Sequence, residues 1–205
     1  MIAIIDYGVG NIFSLKSTFH ELGKDAKLTS DPDEIHEADR LILPGVGAFR
    51  DAAEKLRKTG MDEVVRKETA EGKPLLGVCL GMQLLFDKSY EYGEYDGLGL
   101  IKGNVVSIKP VLPEGYKVPH IGWNSLHFPE GKPKSPIFRY IEEGDYVYFV
   151  HSYYGTDCEE STIAVTEYGA VLTAAVSSGN VYGVQFHPEK SGDVGMNILK
   201  AFCEL

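Results

Sequence analysis

The sequence is short of cysteine, of basic residues and of long apolar runs, and each shortage excludes a class of protein. Only three cysteines occur among 205 residues: Cys79, Cys158 and Cys203. Their number is odd, their spacings are wide and no Cys-x-x-Cys pair exists, so neither a disulfide framework nor a zinc site is indicated. A reducing cytoplasm is the simplest compartment for such a chain. Lys and Arg number 20 against 30 Asp and Glu, a formal net charge of -10. That balance argues against nucleic acid or an anionic membrane as the main partner, because both reward clustered cations. No apolar stretch approaches the roughly 20 residues that cross a bilayer. The apolar run Met1 to Ile5 has no basic segment before it and no cleavage signal, so it does not read as a secretory leader. What remains is a globular composition, 43% hydrophobic and 24% charged, on a length that fits one domain. No internal repeat, low-complexity tract or linker divides residues 1–205.

The first half alternates short apolar runs with amphipathic stretches. Ile2 to Ile5 predicts a buried strand, and Ile12, Leu15, Phe19 and Leu22 then recur at helical spacing until Gly23. Ala26 to Thr29 is a second strand, followed by a turn and cap at Ser30 to Asp33. Arg40 to Leu43 is a third strand, closed by Pro44-Gly45-Val46-Gly47. Helices are expected over Ala48 to Lys58 and Asp62 to Glu71. Leu75 to Val78 is a fourth strand running into Cys79, with a helix over Gly81 to Asp87. This β-α-β-α order implies a three-layer α/β fold, a largely parallel central sheet with helices on both faces. Such sheets place their sites at the carboxyl ends of the strands.

From Gly97 on the pattern changes. Val105 to Ile108, Tyr146 to His151, Ile163 to Tyr168, Leu172 to Ser177 and Val181 to Phe186 are strand-like and closely spaced. They suggest antiparallel additions to the core sheet. Pro110 to Pro136 reads as loop, and Val194 to Leu205 as a closing amphipathic helix.

The sharpest chemical signal is Gly77-Val78-Cys79-Leu80-Gly81, between an apolar strand and a helix. It has the layout of a nucleophile elbow with a thiol in place of the hydroxyl. The turn crowds the neighbours of the nucleophile, which favours glycine, and it sets sulfur at a helix N-terminus, where the backbone field favours thiolate. The Leu80 amide then faces the place where an oxyanion would form. The bland alternative is a buried structural cysteine between packing glycines. A second signal is Gln185-Phe186-His187-Pro188-Glu189, at a strand end. On an extended segment His187 and Glu189 point the same way, so a base oriented by a carboxylate can address one thiol. Alone, it fits an ordinary His and Glu in a solvated loop better. A third, Pro44-Gly45-Val46-Gly47, lets backbone amides approach a ligand and supply a second oxyanion donor; the alternative is a plain strand-to-helix turn. Gly8-x-Gly10 and Gly45-x-Gly47 do not make a dinucleotide fingerprint, since Phe13 and Arg50 stand where a third small residue is required.

Weaker features accompany these. Gln83, one turn after Cys79, could bond a substrate amide or face solvent. His151-Ser152-Tyr153 offers polar groups to a cleft or simply ends a strand. Trp123 is the only tryptophan; exposed, it would mark an interface, while a core position is commoner. Tyr90 to Tyr95 reads as a solvated loop.

Taken together, the Pro-Gly-x-Gly turn, the Gly-x-Cys-x-Gly elbow and the late His-Pro-Glu occur in the order of the class I glutamine amidotransferases, which the whole chain resembles. Three further stretches narrow the resemblance to the family of glutaminase subunits of imidazole glycerol phosphate synthase, in histidine biosynthesis. They are Asp6 to Asn11, His120 to Asn124 and Gly183 to Ser191. The resemblance implies a catalytic triad of Cys79, His187 and Glu189, with oxyanion donors from Leu80 and the Val46–Gly47 segment. It implies a glutamine site at Gly47, Gln83, Ser152 and Tyr153. It also implies a heterodimer with a separate (β/α)8 synthase subunit, which Gly10, Asn11 and Trp123 would face, and no metal or organic cofactor. A glutaminase serving another synthase, for anthranilate, pyridoxal phosphate or a purine precursor, is the nearest alternative.

Overall fold

The computed structural model describes residues 1–205. Its first half follows the sequence pattern closely. Strand Ile2–Ile5 (β1) leads to helix Ile12–Glu21 (α1), strand Ala26–Thr29 (β2) and a short helix, Pro32–Glu37 (α2). Strand Arg40–Leu43 (β3) is followed by helices Phe49–Lys58 (α3) and Met61–Ala70 (α4), then by strand Leu75–Val78 (β4) and helix Leu80–Leu84 (α5). The expected turn at Ser30 to Asp33 opens α2: Asp31 accepts the Asp33 amide at 2.9 Å, and Pro32 takes the first helical position, where its missing N–H costs nothing.

The second half is built from Phe86–Ser89 (β5), Tyr95–Asp96 (β6), Ile101–Ser107 (β7), His120–Ser125 (β8) and Tyr146–His151 (β9). Tyr153–Thr156 (β10), Thr162–Glu167 (β11), Val171–Ser178 (β12) and Val181–Val184 (β13) follow, and helix Gly192–Cys203 (α6) closes the chain. A seven-stranded sheet runs in the order β11-β12-β13-β4-β3-β1-β2. From β13 to β2 it is parallel, and β12 and β11 add to it antiparallel. β10, β7, β5 and β6 form a second sheet, and β8 pairs with β9 in a two-stranded ribbon.

Period-2 alternation on the central strands divides the core into two layers. Ala3, Ile5, Leu41, Leu43 and Leu75 join a cluster with Phe49, Ala52 and Leu56 of α3 and Val65 of α4. Ile2, Ile4, Ile42, Leu76 and Val78 join another with Leu15 and Phe19 of α1 and Ile198, Leu199 and Phe202 of α6. Strands β1, β4 and β13 are buried along their whole length, as parallel strands covered on both faces must be. No helix is long and apolar enough to cross a membrane.

Three expectations are corrected. The helix after Cys79 ends at Leu84, not Asp87, because the Leu85 carbonyl accepts the Leu100 and Ile101 amides at 2.8 and 2.9 Å and the chain joins β7 as β5. The segment Pro110 to Pro136 contains strand β8, which pairs antiparallel with β9 from His120↔His151 to Ser125↔Tyr146. The later strands are not all antiparallel additions. β13 is parallel to β4 inside the core sheet, while β7 and β9 belong to separate sheets.

The elbow is locked by interleaved glycines. A Cβ at Gly81 would stand 1.9 Å from the Leu43 carbonyl oxygen, one at Gly45 2.7 Å from the Gly81 nitrogen, and one at Gly77 2.7 Å from the Gly81 oxygen. Gly81→Ala therefore forces β3 and α5 apart and is expected to lower stability by more than about 3 kcal/mol. Thermal denaturation checks this; a variant melting where the parent does would show that β3 shifts at no cost.

Candidate active site

Cys79 lies at the carboxyl end of β4, with φ 55° and ψ -113°, a conformation that L side chains rarely adopt. The strain is held by surrounding structure. The Cys79 amide donates to the Val184 carbonyl at 2.8 Å, and the glycine contacts above fix both sides of the turn. Because Val184 is in register with Val78, the residues after β13 emerge beside Cys79, although more than a hundred positions separate them in the chain. His187 follows there. Its amide donates to the Tyr148 carbonyl at 2.9 Å, and the Ser191 hydroxyl donates to the His187 carbonyl at 2.6 Å while accepting the Tyr148 amide at 3.0 Å.

His187 Nδ1 and Glu189 Oε1 are 2.8 Å apart, with both side chains almost wholly buried. The pair forms through a short helical turn over Pro188–Lys190, not through the continued extended strand that the sequence suggested. Proline at the head of the turn fits its fixed φ. Burial, the largest influence on His187, pushes its pKa down; the Cys79 sulfur and the Glu189 carboxylate outweigh it and hold the ring at about 9. The Cys79 thiol itself points at the Val150 carbonyl, 3.9 Å away, and lies 3.8 Å from Gln185 Nε2. It also raises the pKa of His187, first through a side-chain hydrogen bond and then through charge attraction; such contacts commonly tighten when substrate binds.

Cys79, Leu80 and His187 open onto one cleft of about 730 Å³. Val46, Gly47, Gln83, Ser152 and Tyr153 line the same cleft, so the structure brings together every residue expected to serve catalysis, the oxyanion or the substrate except Glu189, which stands behind His187. Leu80 is the first residue of α5, so its amide has no acceptor within the helix. The Pro44–Gly47 segment is clamped by a hydrogen bond from the Tyr7 hydroxyl to the Pro44 carbonyl at 2.6 Å. Gly47 has φ +92°, a conformation that glycine adopts without strain.

Gly10 packs on that clamp: a Cβ there would meet Pro44 Cβ at 2.9 Å. Asn11 is half-buried and bonds Ser14 at 3.2 Å. Trp123 is 55% exposed, with its ring edge on Tyr148, and it shares the outward face of β8 with Ile121; it is not a core residue. Gln83 is buried rather than solvent-facing. Its Nε2 donates to the Gln185 Oε1 at 2.9 Å and to the Tyr153 carbonyl at 3.2 Å.

Sequence reasoning missed three members of the site. The stretch Tyr90 to Tyr95, read as solvated loop, brings Glu91 and Tyr92 into the cleft wall. Glu91 accepts the Phe49 amide at 2.6 Å, and its burial raises its pKa. Its only signal was a carboxylate among tyrosines. Gln185 belonged to a quoted motif, but nothing in the sequence showed that it touches both Gln83 and Cys79.

A strained cysteine at a strand-to-helix elbow, a histidine held by a buried carboxylate, and a glycine-rich turn across the cleft define an amidotransferase class. The glutamine amidotransferase class-I family model matches residues 3–204, and the chain belongs to that family. Within it the chain is 53% identical over 206 residues to the imidazole glycerol phosphate synthase subunit HisH of Caldanaerobacter subterraneus subsp. tengcongensis, covering 100% of this chain and 98% of that one. It is 47% identical over 207 residues to the subunit of the same name from Wolinella succinogenes, covering 100% of both. It thus stands within the HisH subunit family. Among solved structures, one described as a glutamine amidotransferase superposes with a TM-score of 0.73 at 22% identity, covering 98% of this chain and 99% of that one. PurLQS from Thermotoga maritima gives 0.75 at 18% identity, covering 99% and 97%. These two likenesses bear on the fold alone.

Proposed function

We propose that residues 1–205 act as one glutaminase domain that hydrolyses L-glutamine and supplies ammonia to a separate (β/α)8 synthase subunit. That subunit makes imidazole glycerol phosphate and aminoimidazole carboxamide ribonucleotide in histidine biosynthesis. The observation that carries the chemistry is the buried His187–Glu189 pair, 2.8 Å apart and aimed at the strained Cys79 elbow.

Glu189 accepts a hydrogen bond from His187 Nδ1–H and leaves Nε2 to face the thiol; held at about 9, the ring takes the thiol proton and keeps it as an imidazolium beside the Cys79 thiolate. The Cys79 thiolate attacks the side-chain carbonyl carbon of glutamine. The resulting oxyanion is held by the Leu80 amide and by one from the Val46–Gly47 segment, each such donor worth roughly 10²–10³ in rate. The imidazolium then gives its proton to the leaving nitrogen, and ammonia departs from a γ-glutamyl thioester. Water, deprotonated by His187, cleaves the thioester to glutamate and restores the thiol. No step requires a metal or organic cofactor. Gly47, Gln83, Ser152 and Tyr153 hold the substrate.

The outward residues Trp123 and Ile121, with the Gly10–Asn11 turn lying on Pro44, support a partner face linked to the oxyanion segment. Docking there would turn a peptide in Gly45–Gly47 and complete the oxyanion hole, in a cytoplasmic heterodimer that engages neither nucleic acid nor membrane. The test is glutamate release from glutamine by the purified chain, alone and with the barrel subunit carrying its nucleotide substrate. A rise of about 10²-fold or more is expected, the worth of one oxyanion donor. An equally high rate without the partner would overturn the coupling.

A further inference from the structure

Outside the triad, the most deeply buried histidines are His120 on β8 and His151 at the end of β9, 2% and 5% exposed. His120 is stacked between Phe149, at 4.9 Å, and Tyr168, at 4.1 Å. Its Nδ1 lies 3.0 Å from His151 Nε2, and His151 Nδ1 lies 2.9 Å from the Tyr153 carbonyl oxygen. Burial pushes both pKa values down to about 4, so both rings are neutral at ordinary pH.

The acceptors then fix every proton. A carbonyl only accepts, so His151 carries its proton on Nδ1. Its bare Nε2 must accept, so His120 also carries its proton on Nδ1. His120 Nε2 is left to accept from Asn124 Nδ2, 3.4 Å away. The orientation of that amide is itself set, because Nδ2 donates to the Glu167 carbonyl at 2.8 Å and Oδ1 accepts the Ser125 amide at 2.8 Å. From the Tyr153 carbonyl the chain continues through Gln83 Nε2 and Gln185 to the Cys79 sulfur, at 3.2, 2.9 and 3.8 Å. One end of this path is the strand that presents Trp123 outward; the other is the nucleophile.

We propose that His120 and His151 are positioning residues of the glutaminase: a neutral pair, both protonated on Nδ1, that ties the outward strand β8 to Tyr153 and Gln83 in the substrate cleft. The assignment rests on the glutamine reading of that cleft. Its physical content is directional. A displaced β8 carries His120 away from His151, leaves a buried nitrogen unpaired, and frees the Tyr153 carbonyl and the Gln83 amide to move. The pair therefore governs how glutamine is held, not the attack itself.

Two measurements test this. In ¹⁵N spectra of the histidine-labelled chain at pH 7, both rings should show the Nδ1–H tautomer, the minor form of free neutral histidine in water. An Nε2–H or doubly protonated ring at either position overturns the proposal, and this readout needs no activity. In the complex with its synthase subunit, His120→Phe keeps the stack with Phe149 and Tyr168 but removes the hydrogen bond. It should raise KM for glutamine about tenfold, the cost of roughly one hydrogen bond, with kcat much less affected. His120→Asn keeps a donor at the Nδ1 position and should recover most of that loss. Parental KM in His120→Phe, or equal loss in both variants, would sink the relay. If His120→Phe does not fold, the spectra and His120→Asn decide alone. Failure of the parent chain to hydrolyse glutamine would instead reject the underlying reading and leave the tautomers standing.

Discussion

Cys79→Ala is expected to abolish glutamine-dependent synthesis by the complex, by about 10⁴-fold or more, while synthesis from added ammonium proceeds at the parental rate. The asymmetry follows from the proposed division of labour. The thiol is consumed only in making ammonia, and ammonia supplied from outside bypasses it. The substitution removes the sulfur and leaves the backbone of the elbow, whose φ of 55° is enforced by the glycines around it. The two other cysteines serve as internal controls. Cys158 and Cys203 are buried, and burial pushes both thiols up, so a glutamine-like affinity label should react with Cys79 alone. Loss of ammonium-dependent synthesis as well would mean that Cys79 holds the complex together rather than doing chemistry. Labelling at Cys158 would mean that the cleft is not the glutamine site.

Glu189→Gln is the second large effect, an expected fall in kcat of about 10²–10⁴-fold with KM little changed. The carboxylate does two things at once: it fixes the imidazole with its proton on Nδ1, and it stabilises the imidazolium that forms during attack. A neutral amide gives up the second, and keeps the first only if its oxygen faces the ring. If its oxygen faces His187, its NH₂ occupies the place of Glu189 Oε2, which is buried with no hydrogen-bond partner. If it flips, the NH₂ faces Nδ1 and drives the ring proton to Nε2, where it confronts the thiol. The ring should also titrate below its present value of about 9, since one of the influences raising it is gone. Kinetics and ¹⁵N spectra of His187 read the two consequences separately. Parental kcat in a variant whose ring has changed tautomer would remove Glu189 from the mechanism.

The sequence made the grouping of Cys79, His187 and Glu189 legible because each stands in a short motif, and the order of the motifs together, not any one alone, pointed to it. Glycines on both sides of Cys79 mark a tight strand-to-helix junction, and Pro188 confines the link between His187 and Glu189. The first four strands and helices α1, α3 and α4 were legible for a related reason. Period-2 and period-3.6 patterns report burial on one element, and in β1 the alternation of Ile2 and Ile4 with Ala3 and Ile5 maps directly onto the two core layers.

Other elements could not be read that way. β8 is His-Ile-Gly-Trp-Asn-Ser, a strand with no apolar run, and it exists because six residues of β9 pair with it in register. β13 looked like one more late strand, yet it enters the sheet beside β4, and only that placement carries His187 to Cys79. Glu91 reaches the cleft wall and Gln185 lies buried against Cys79 behind it, through contacts with residues 42 and 106 positions away.

What the sequence by itself determined, then, was the chemistry available: a thiol at an elbow, a base with its carboxylate, and glycines able to present amides. What only the tertiary structure decided was which groups meet: the β4–β13 register that brings His187 to Cys79, the Tyr7–Pro44 clamp and the path from Asn124 to Cys79. The physical reason is that side-chain type and backbone propensity are local properties, written residue by residue. Strand pairing and burial are set by the packing of the whole chain, and no short stretch contains the information that fixes its partner.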